Sequence, residues 1–367
     1  MRNARSLVIL FLTVGLTAGL TACSAGPTSE SGSSTDTDGA AGDATPTPVP
    51  GTPVESPPAD RYVDEQGRTR VALTKMPYSG ARNVAELSDG PDYLEQGGLI
   101  TLLEGMGVAL RATSAVALTP EQADDYGEWH RMGMASGNYG ELVADNERSG
   151  FLTVGLLSNC TSLLGTLSGL QHSGDDGQPR QVAMVFIDSH GDFNTPESTL
   201  SGMLGGMPVA VSAGLCLRNL RLEAGLDPAL PTERIVLGAA RDLDPLEREL
   251  IENSDIVQVS TDDFRTVSPH LIAQMDRLSE ISDLIYIHID MDVLDPAEVP
   301  GHPLTVPNGP TSRELAKALT EMFKYPKVAA LGIASTPWGP RDPDGVSLQA
   351  AYNLIEGAVK GVQSRER

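Results

Sequence analysis

The chain has 367 residues, of which 26 are basic and 49 acidic, for a formal charge of −23. Such an acid excess argues against docking on nucleic acid or on anionic lipid through charge. Three cysteines exclude a disulfide-rich scaffold, and an apolar share of 40% leaves enough for one large globular domain.

The first residues read as an export signal. Arg2 and Arg5 form a basic start, and residues 7–20 (LVILFLTVGLTAGL) form an apolar run. As a helix that run rises roughly 21 Å, short of a bilayer core of about 30 Å. It ends in Leu20-Thr21-Ala22-Cys23, which is similar to a bacterial lipoprotein lipobox and would make Cys23 the lipidated first residue of the mature chain. The other reading is an ordinary secretory signal with a fortuitous cysteine. Ser, Thr, Gly and Pro fill 24 of the 35 positions from 24 to 58. Such a stretch buries too little apolar surface to offset its chain entropy, and reads as a tether. The expected organisation is a signal over 1–22, a disordered tether over 23–67 and a folded domain over 68–367. The expected location is the outer face of a bacterial membrane, held by the lipid alone.

Beyond residue 68, short apolar runs alternate with helical patterns. Expected strands are Arg70–Leu73, Phe151–Leu157, Val182–Ile187, Arg234–Leu237, Ile256–Val259, Leu284–Ile289 and Val328–Ile333. Expected helices include Tyr93–Met106, Thr161–Leu170, Pro245–Glu252, Ser268–Leu278 and Thr311–Met322. The alternation predicts an α/β fold on a mostly parallel sheet, with ligands bound beyond the carboxyl ends of its strands.

Two of those ends carry unusual chemistry. Val182–Ile187 runs into Asp188-Ser-His190-Gly-Asp192-Phe-Asn194. Leu284–Ile289 carries His288 and runs into Asp290-Met-Asp292-Val-Leu-Asp295. Residues two apart on a strand share a face, so each set can converge. Several buried carboxylates without a cation are very costly, and divalent metals resolve that cost. Oxygen donors with some imidazole suit Mn²⁺ well and Zn²⁺ or Fe²⁺ acceptably. The alternative is that both motifs are acidic strand-end turns.

Asp188-Ser-His-Gly-Asp-Phe-Asn-Thr-Pro, Ser201-Gly-Met-Leu-Gly-Gly-Met-Pro and Asp290-Met-Asp-Val-Leu-Asp-Pro together resemble the arginase/agmatinase (ureohydrolase) family, over most of residues 88–360. The resemblance implies a three-layer αβα fold and a binuclear manganese centre whose bridging hydroxide attacks a guanidinium carbon, releasing urea and an amine. It makes Asp188 and Asp290 metal bridges, with His190, Asp192 and Asp292 completing the shells and Asp192 also catalytic. Gly238-Ala-Ala-Arg241-Asp-Leu-Asp244-Pro-Leu-Glu247 is similar to the arginase version of this loop. By that likeness Asp244 and Glu247 hold an amino acid's α-amino group, and Asn194 and Ser201 lie at its α-carboxylate. The same segment also reads as a helix start capped by Asp and opened by Pro. A small cationic guanidino compound is the implied substrate. Relatives assemble as trimers or hexamers, so a homo-oligomer is open.

Three positions depart from the family pattern. Cys160 stands where a histidine ligand is usual, Gly205 where a histidine assists catalysis, and Ser335 near a glutamate that pairs with the guanidinium. His288, on the face of Asp290, is the expected replacement imidazole, with Cys160 as ligand or neighbour; a buried histidine bonded to a carboxylate is the other reading. Thiolate ligation would turn preference toward Zn²⁺ or Fe²⁺. Cys160 can instead pair with Cys216 outside the cytoplasm. His302, in Pro300-Gly-His-Pro, is expected to line the mouth and to substitute for the missing proton shuttle. These departures leave open a non-catalytic metal- or ligand-binding lipoprotein, or hydrolysis of another amidine or amide.

Overall fold

The computed structural model describes residues 57–79, 89–174 and 177–365. The expected signal, Cys23 and most of the tether lie outside the described residues. Among the described residues, eight strands, β1 (Arg70–Met76), β2 (Ala109–Ala115), β3 (Leu152–Leu157), β4 (Val182–Ile187), β5 (Ile235–Gly238), β6 (Val257–Val259), β7 (Leu284–Asp290) and β8 (Val328–Ala334), form one sheet. Its order is β2-β1-β3-β8-β7-β4-β5-β6, and every neighbouring pair is parallel.

Parallel sheets bury both faces, and the strand sequences show it. β4 reads Val-Ala-Met-Val-Phe-Ile and is buried throughout. Val182, Met184 and Phe186 enter one core, with Met132 and Tyr139 of helix Glu128–Arg148 and Leu164 and Leu167 of helix Leu163–Gln171. Ala183, Val185 and Ile187 enter the other, with Leu315 and Leu319 of helix Ser312–Met322 and Leu354 and Val359 of helix Val346–Gln363. Helices thus cover both faces, giving the three-layer αβα architecture.

Differences from the sequence reading have local causes. β2 has no apolar run: Ala-Leu-Arg-Ala-Thr-Ser-Ala is an edge strand, half-buried or exposed along its length. The single helix expected over Tyr93–Met106 is broken. Helix Gly90–Leu94 passes through a wide turn at Glu95–Leu99, where Gly98 has φ 116°, into helix Ile100–Gly105. The fold also begins before Arg68. Tyr62 is fully buried and donates to Glu147 Oε2 (2.6 Å), so the last part of the expected tether is packed.

Candidate metal centre and active site

The central strands are β3, β8, β7 and β4. From them the sheet grows outward through β1 and β2 on one side and β5 and β6 on the other. This is the place where an open parallel sheet leaves a crevice at its carboxyl edge. Cys160 follows β3, Ser335 follows β8, Asp290 ends β7 and Asp188 follows β4, and all four line one cavity of about 400 Å³. Two of the turns leaving these strands use the left-handed region, at Asp192 (φ 47°) and Ser335 (φ 61°). Such backbone costs of order 1–3 kcal/mol and clusters at functional sites.

The side chains converge. Asp188 Oδ1 accepts from the His190 backbone N–H (2.7 Å). The His190 ring Nδ1 lies 3.2 Å from Asp188 Oδ1 and 3.2 Å from Asp292 Oδ2. Asp292 Oδ1 accepts from Ser189 Oγ (2.7 Å). Asp290 Oδ2 accepts from the Cys160 thiol (2.8 Å) and from Ser335 Oγ (2.6 Å). Asp188, Asp192, Asp290 and Asp292 are all at most 6% exposed. Cys160, Asp188 and Asp192 bring one donor atom each within 4.8 Å of one another, as do Asp188, His190 and Asp292. Buried oxygen donors with an imidazole at this spacing fit divalent ions, and Asp188 belongs to both groups.

The electrostatics carry the same message. Burial, then the charges of Asp292 and Asp290, push the Asp188 carboxyl well above its ordinary range. Burial and the Asp188 charge do the same to Asp192, and burial and Asp292 raise Asp290. Burial alone would depress His190. Hydrogen bonds to Asp188 and Asp292, with their charges, outweigh it and push the ring up to about 12. Asp292, where those bonds outweigh burial, is held below the carboxylate range. A site whose own charges make its carboxyls hold protons is short of positive charge.

His302 sits deeper than a mouth residue. It is 7% exposed, and its Nε2 lies 3.7 Å from Asp290 Oδ1 with no hydrogen-bond partner. Its Nδ1 accepts from the Leu304 backbone N–H (3.2 Å), which leaves the neutral ring's proton on Nε2. His302 is therefore a donor facing the cavity, although its distances to Asp290 and Asp292 would also admit ligation.

His288 does not join these groups, which corrects the expectation that it ligates. Strand parity gives a side chain's face but not its depth: two residues span about 6.6–6.8 Å. His288 pairs in the sheet with Phe186 and Gly332, a layer below the carboxylates. Its ring stacks on Phe186 at 5.1 Å, and its Nδ1 is 2.6 Å from Tyr286 Oη rather than on a carboxylate. Burial drives it down to about 3, so it is neutral. His288→Ala is expected to leave metal content unchanged while costing about 2–4 kcal/mol of stability. Metal analysis and denaturant unfolding check this, and lost metal would restore His288 as a ligand. Cys160 and Cys216 are both free thiols, so the expected alternative of a disulfide does not hold.

The loop after β5 is a helix start and also lines the cavity. Asp244 and Glu247 form a capping box on helix Pro245–Glu252. Glu247 Oε2 accepts from the Asp244 N–H (3.1 Å), and Oε1 from the Phe193 N–H (2.9 Å), so Glu247 ties this helix to the metal-motif loop. A Cβ on Gly191 would come within 2.7 Å of Glu247 Oε1, so a larger residue there would push against the carboxylate that holds the Phe193 N–H. Asn194 Nδ2 donates to Asp244 Oδ2 (3.1 Å), and Ser201 is exposed at the rim. Sequence reasoning passed over Ser189, Asp242 and Asn159. Ser189 steadies Asp292, and the other two line the cavity.

Comparison with known proteins agrees with this geometry. A family model described as "Arginase family" matches residues 161–353. The chain is 34% identical over 170 residues to an N(omega)-hydroxy-L-arginine amidinohydrolase of Streptomyces lavendulae, a match covering 46% of this chain and 55% of that protein. It is 28% identical over 281 residues to human mitochondrial arginase-2, covering 72% and 76%. In fold it resembles the crystal structure of Bacillus subtilis arginase, with a TM-score of 0.67 at 23% identity over 79% of this chain and 98% of that one. By its matched motifs and its sheet, this chain belongs to the arginase family.

Proposed function

We propose that the chain hydrolyses a guanidino compound carrying an amino-acid-like end, releasing urea and an amine, and that it works as an exported lipoprotein. The observation that carries the hydrolytic reading is the set of four buried carboxylates with His190 at one cavity floor. Divalent ions bound there, Mn²⁺ among them, would supply a nucleophile from water at neutral pH and offset the carboxylate charge. Asp188, His190, Asp192, Asp290 and Asp292 would hold them. Asp192 borders the cavity, so its carboxylate can accept a proton from the attacking water and pass it toward the departing amine. His302 presents Nε2–H to the same space, and its proton can reach that leaving nitrogen. Water adds to the guanidinium carbon, the C–N bond to the substrate chain breaks, and the amine leaves protonated. Asp242, Asp244 and Glu247 give the outer cavity the charge to attract a cation.

Assays for urea with arginine, agmatine and N-hydroxyarginine, in Mn²⁺, Zn²⁺ or Fe²⁺, test this. Urea from at least one is expected. No turnover despite tight stoichiometric metal binding rejects catalysis in favour of the binding protein. Turnover without urea favours a second reading, hydrolysis of another amidine or amide, which Ser335 supports: its hydroxyl is spent on Asp290, and it brings no carboxylate to pair with a guanidinium. For the anchor, mass spectrometry of the mature N-terminus is expected to show a diacylglyceryl-modified Cys23. An unmodified start elsewhere overturns it.

A further inference from the structure

Resting on the metallohydrolase reading, we propose that the two metal positions are chemically unlike. Cys160, Asp188 and Asp192 form a thiolate position that selects Zn²⁺, Fe²⁺ or Co²⁺, while Asp188, His190 and Asp292 form an imidazole–carboxylate position that accepts Mn²⁺.

The two donor groups share Asp188 but differ in their remaining donors, sulfur on one side and nitrogen on the other. Cys160 is 2% exposed, and its Sγ lies 2.8 Å from Asp290 Oδ2 and 3.9 Å from Asp188 Oδ2. The thiol therefore lies on the carboxylate oxygens that an ion would share with it. The local fold holds it there. Cys160 opens a short helical turn after β3, capped by Asn159 Oδ1, which accepts from the Thr161 N–H (3.0 Å) and Thr161 Oγ1 (2.7 Å). His288 cannot take over, since it lies below the site, and His302 groups with Asp290 and Asp292 rather than with Cys160, Asp188 and Asp192. The thiolate position thus has no imidazole of its own. His302 Nε2, buried and unpartnered beside Asp290, points independently to an occupant of the site. Metal binding here breaks the Cys160 S–H bond, forms a metal–sulfur bond and releases one proton to solvent. Soft sulfur favours Zn²⁺, Fe²⁺ or Co²⁺ over Mn²⁺, whereas oxygen and one imidazole accept Mn²⁺ readily.

The test strips the full chain of metal and reloads it. With Co²⁺, the wild type is expected to show a near-ultraviolet sulfur-to-cobalt charge-transfer band. Cys160→His should bind as many ions without the band, which keeps the comparison clean even if Cys160→Ser misfolds. Reloaded from a mixture in which Mn²⁺ greatly exceeds Zn²⁺, so that an oxygen and imidazole position fills with Mn²⁺, the wild type should keep one Zn²⁺ and one Mn²⁺ per chain, and Cys160→His should raise its Mn²⁺-to-Zn²⁺ ratio at least tenfold. A fully loaded wild type without the band, or equal metal ratios in the two proteins, overturns the inference and leaves the metallohydrolase reading standing. A wild type that binds no metal overturns both.

Discussion

Asp188→Asn is expected to lower turnover by at least about a thousandfold and to remove metal binding, while making the metal-free protein more stable. The two effects have opposite signs and one cause. Asp188 is the carboxylate common to both donor groups, so losing its charge weakens both positions. Without metal, that carboxyl is a burden, because burial against Asp292 and Asp290 makes it costly to ionise and forces the folded protein to hold its proton. An amide keeps the oxygen that accepts the His190 N–H and removes the repulsion. Metal at a hundred times its dissociation constant stabilises a folded protein by about 2.7 kcal/mol. The wild type should therefore melt several degrees higher with metal, and the variant should not respond. A variant that melts lower without metal and still gains from it would show that Asp188 is structural.

The metal-free protein is expected to lose stability as pH rises from 6.5 to 9, and saturating metal to cancel that loss. His190 is raised from 6.5 to about 12, so its contribution is complete below pH 6.5 and drains away as pH climbs toward 12. Asp188 and Asp192, raised well above 3.8, act in the same direction: they ionise freely when unfolded and are held protonated when folded. Two groups have the opposite sign, but outside this window. Asp292, lowered, loses its contribution only as pH falls below 3.8, and His288, lowered to about 3, only as pH falls below 6.5. Each linked proton changes stability by about 1.4 kcal/mol per pH unit. Bound metal displaces these protons and so cancels the trend. Thermal melts across the window, with chelator and with metal, read both slopes. A metal-free melting temperature that rises with pH contradicts the charge arrangement described here.

Much of the site was legible because strand ends are legible. Val182–Ile187 is uniformly apolar and stops at Asp188, and the acids of the second motif follow Leu284–Ile289 in the same way. A sheet buried on both faces writes its strands as apolar runs, and the chemistry begins where the runs stop. The helix start at Asp244-Pro-Leu-Glu247 was legible for a local reason, since caps use neighbours in sequence. What stayed hidden was long-range or conformational. Asp192 converges through a left-handed turn rather than by strand alternation. His302 reaches Asp290 because the loop after β7 folds back over the cavity, and no periodicity encodes that. His288 shared a face with Asp290 but lay too deep, and β2 was invisible because an edge strand needs no apolar run.

The central claim is that this carboxylate floor exists to hold divalent ions, and anomalous diffraction from crystals reloaded with Mn²⁺ and Zn²⁺ tests it most directly. Two peaks are expected, one among Cys160, Asp188 and Asp192 and one among Asp188, His190 and Asp292. Crystals at saturating metal with no peak among these side chains would contradict it.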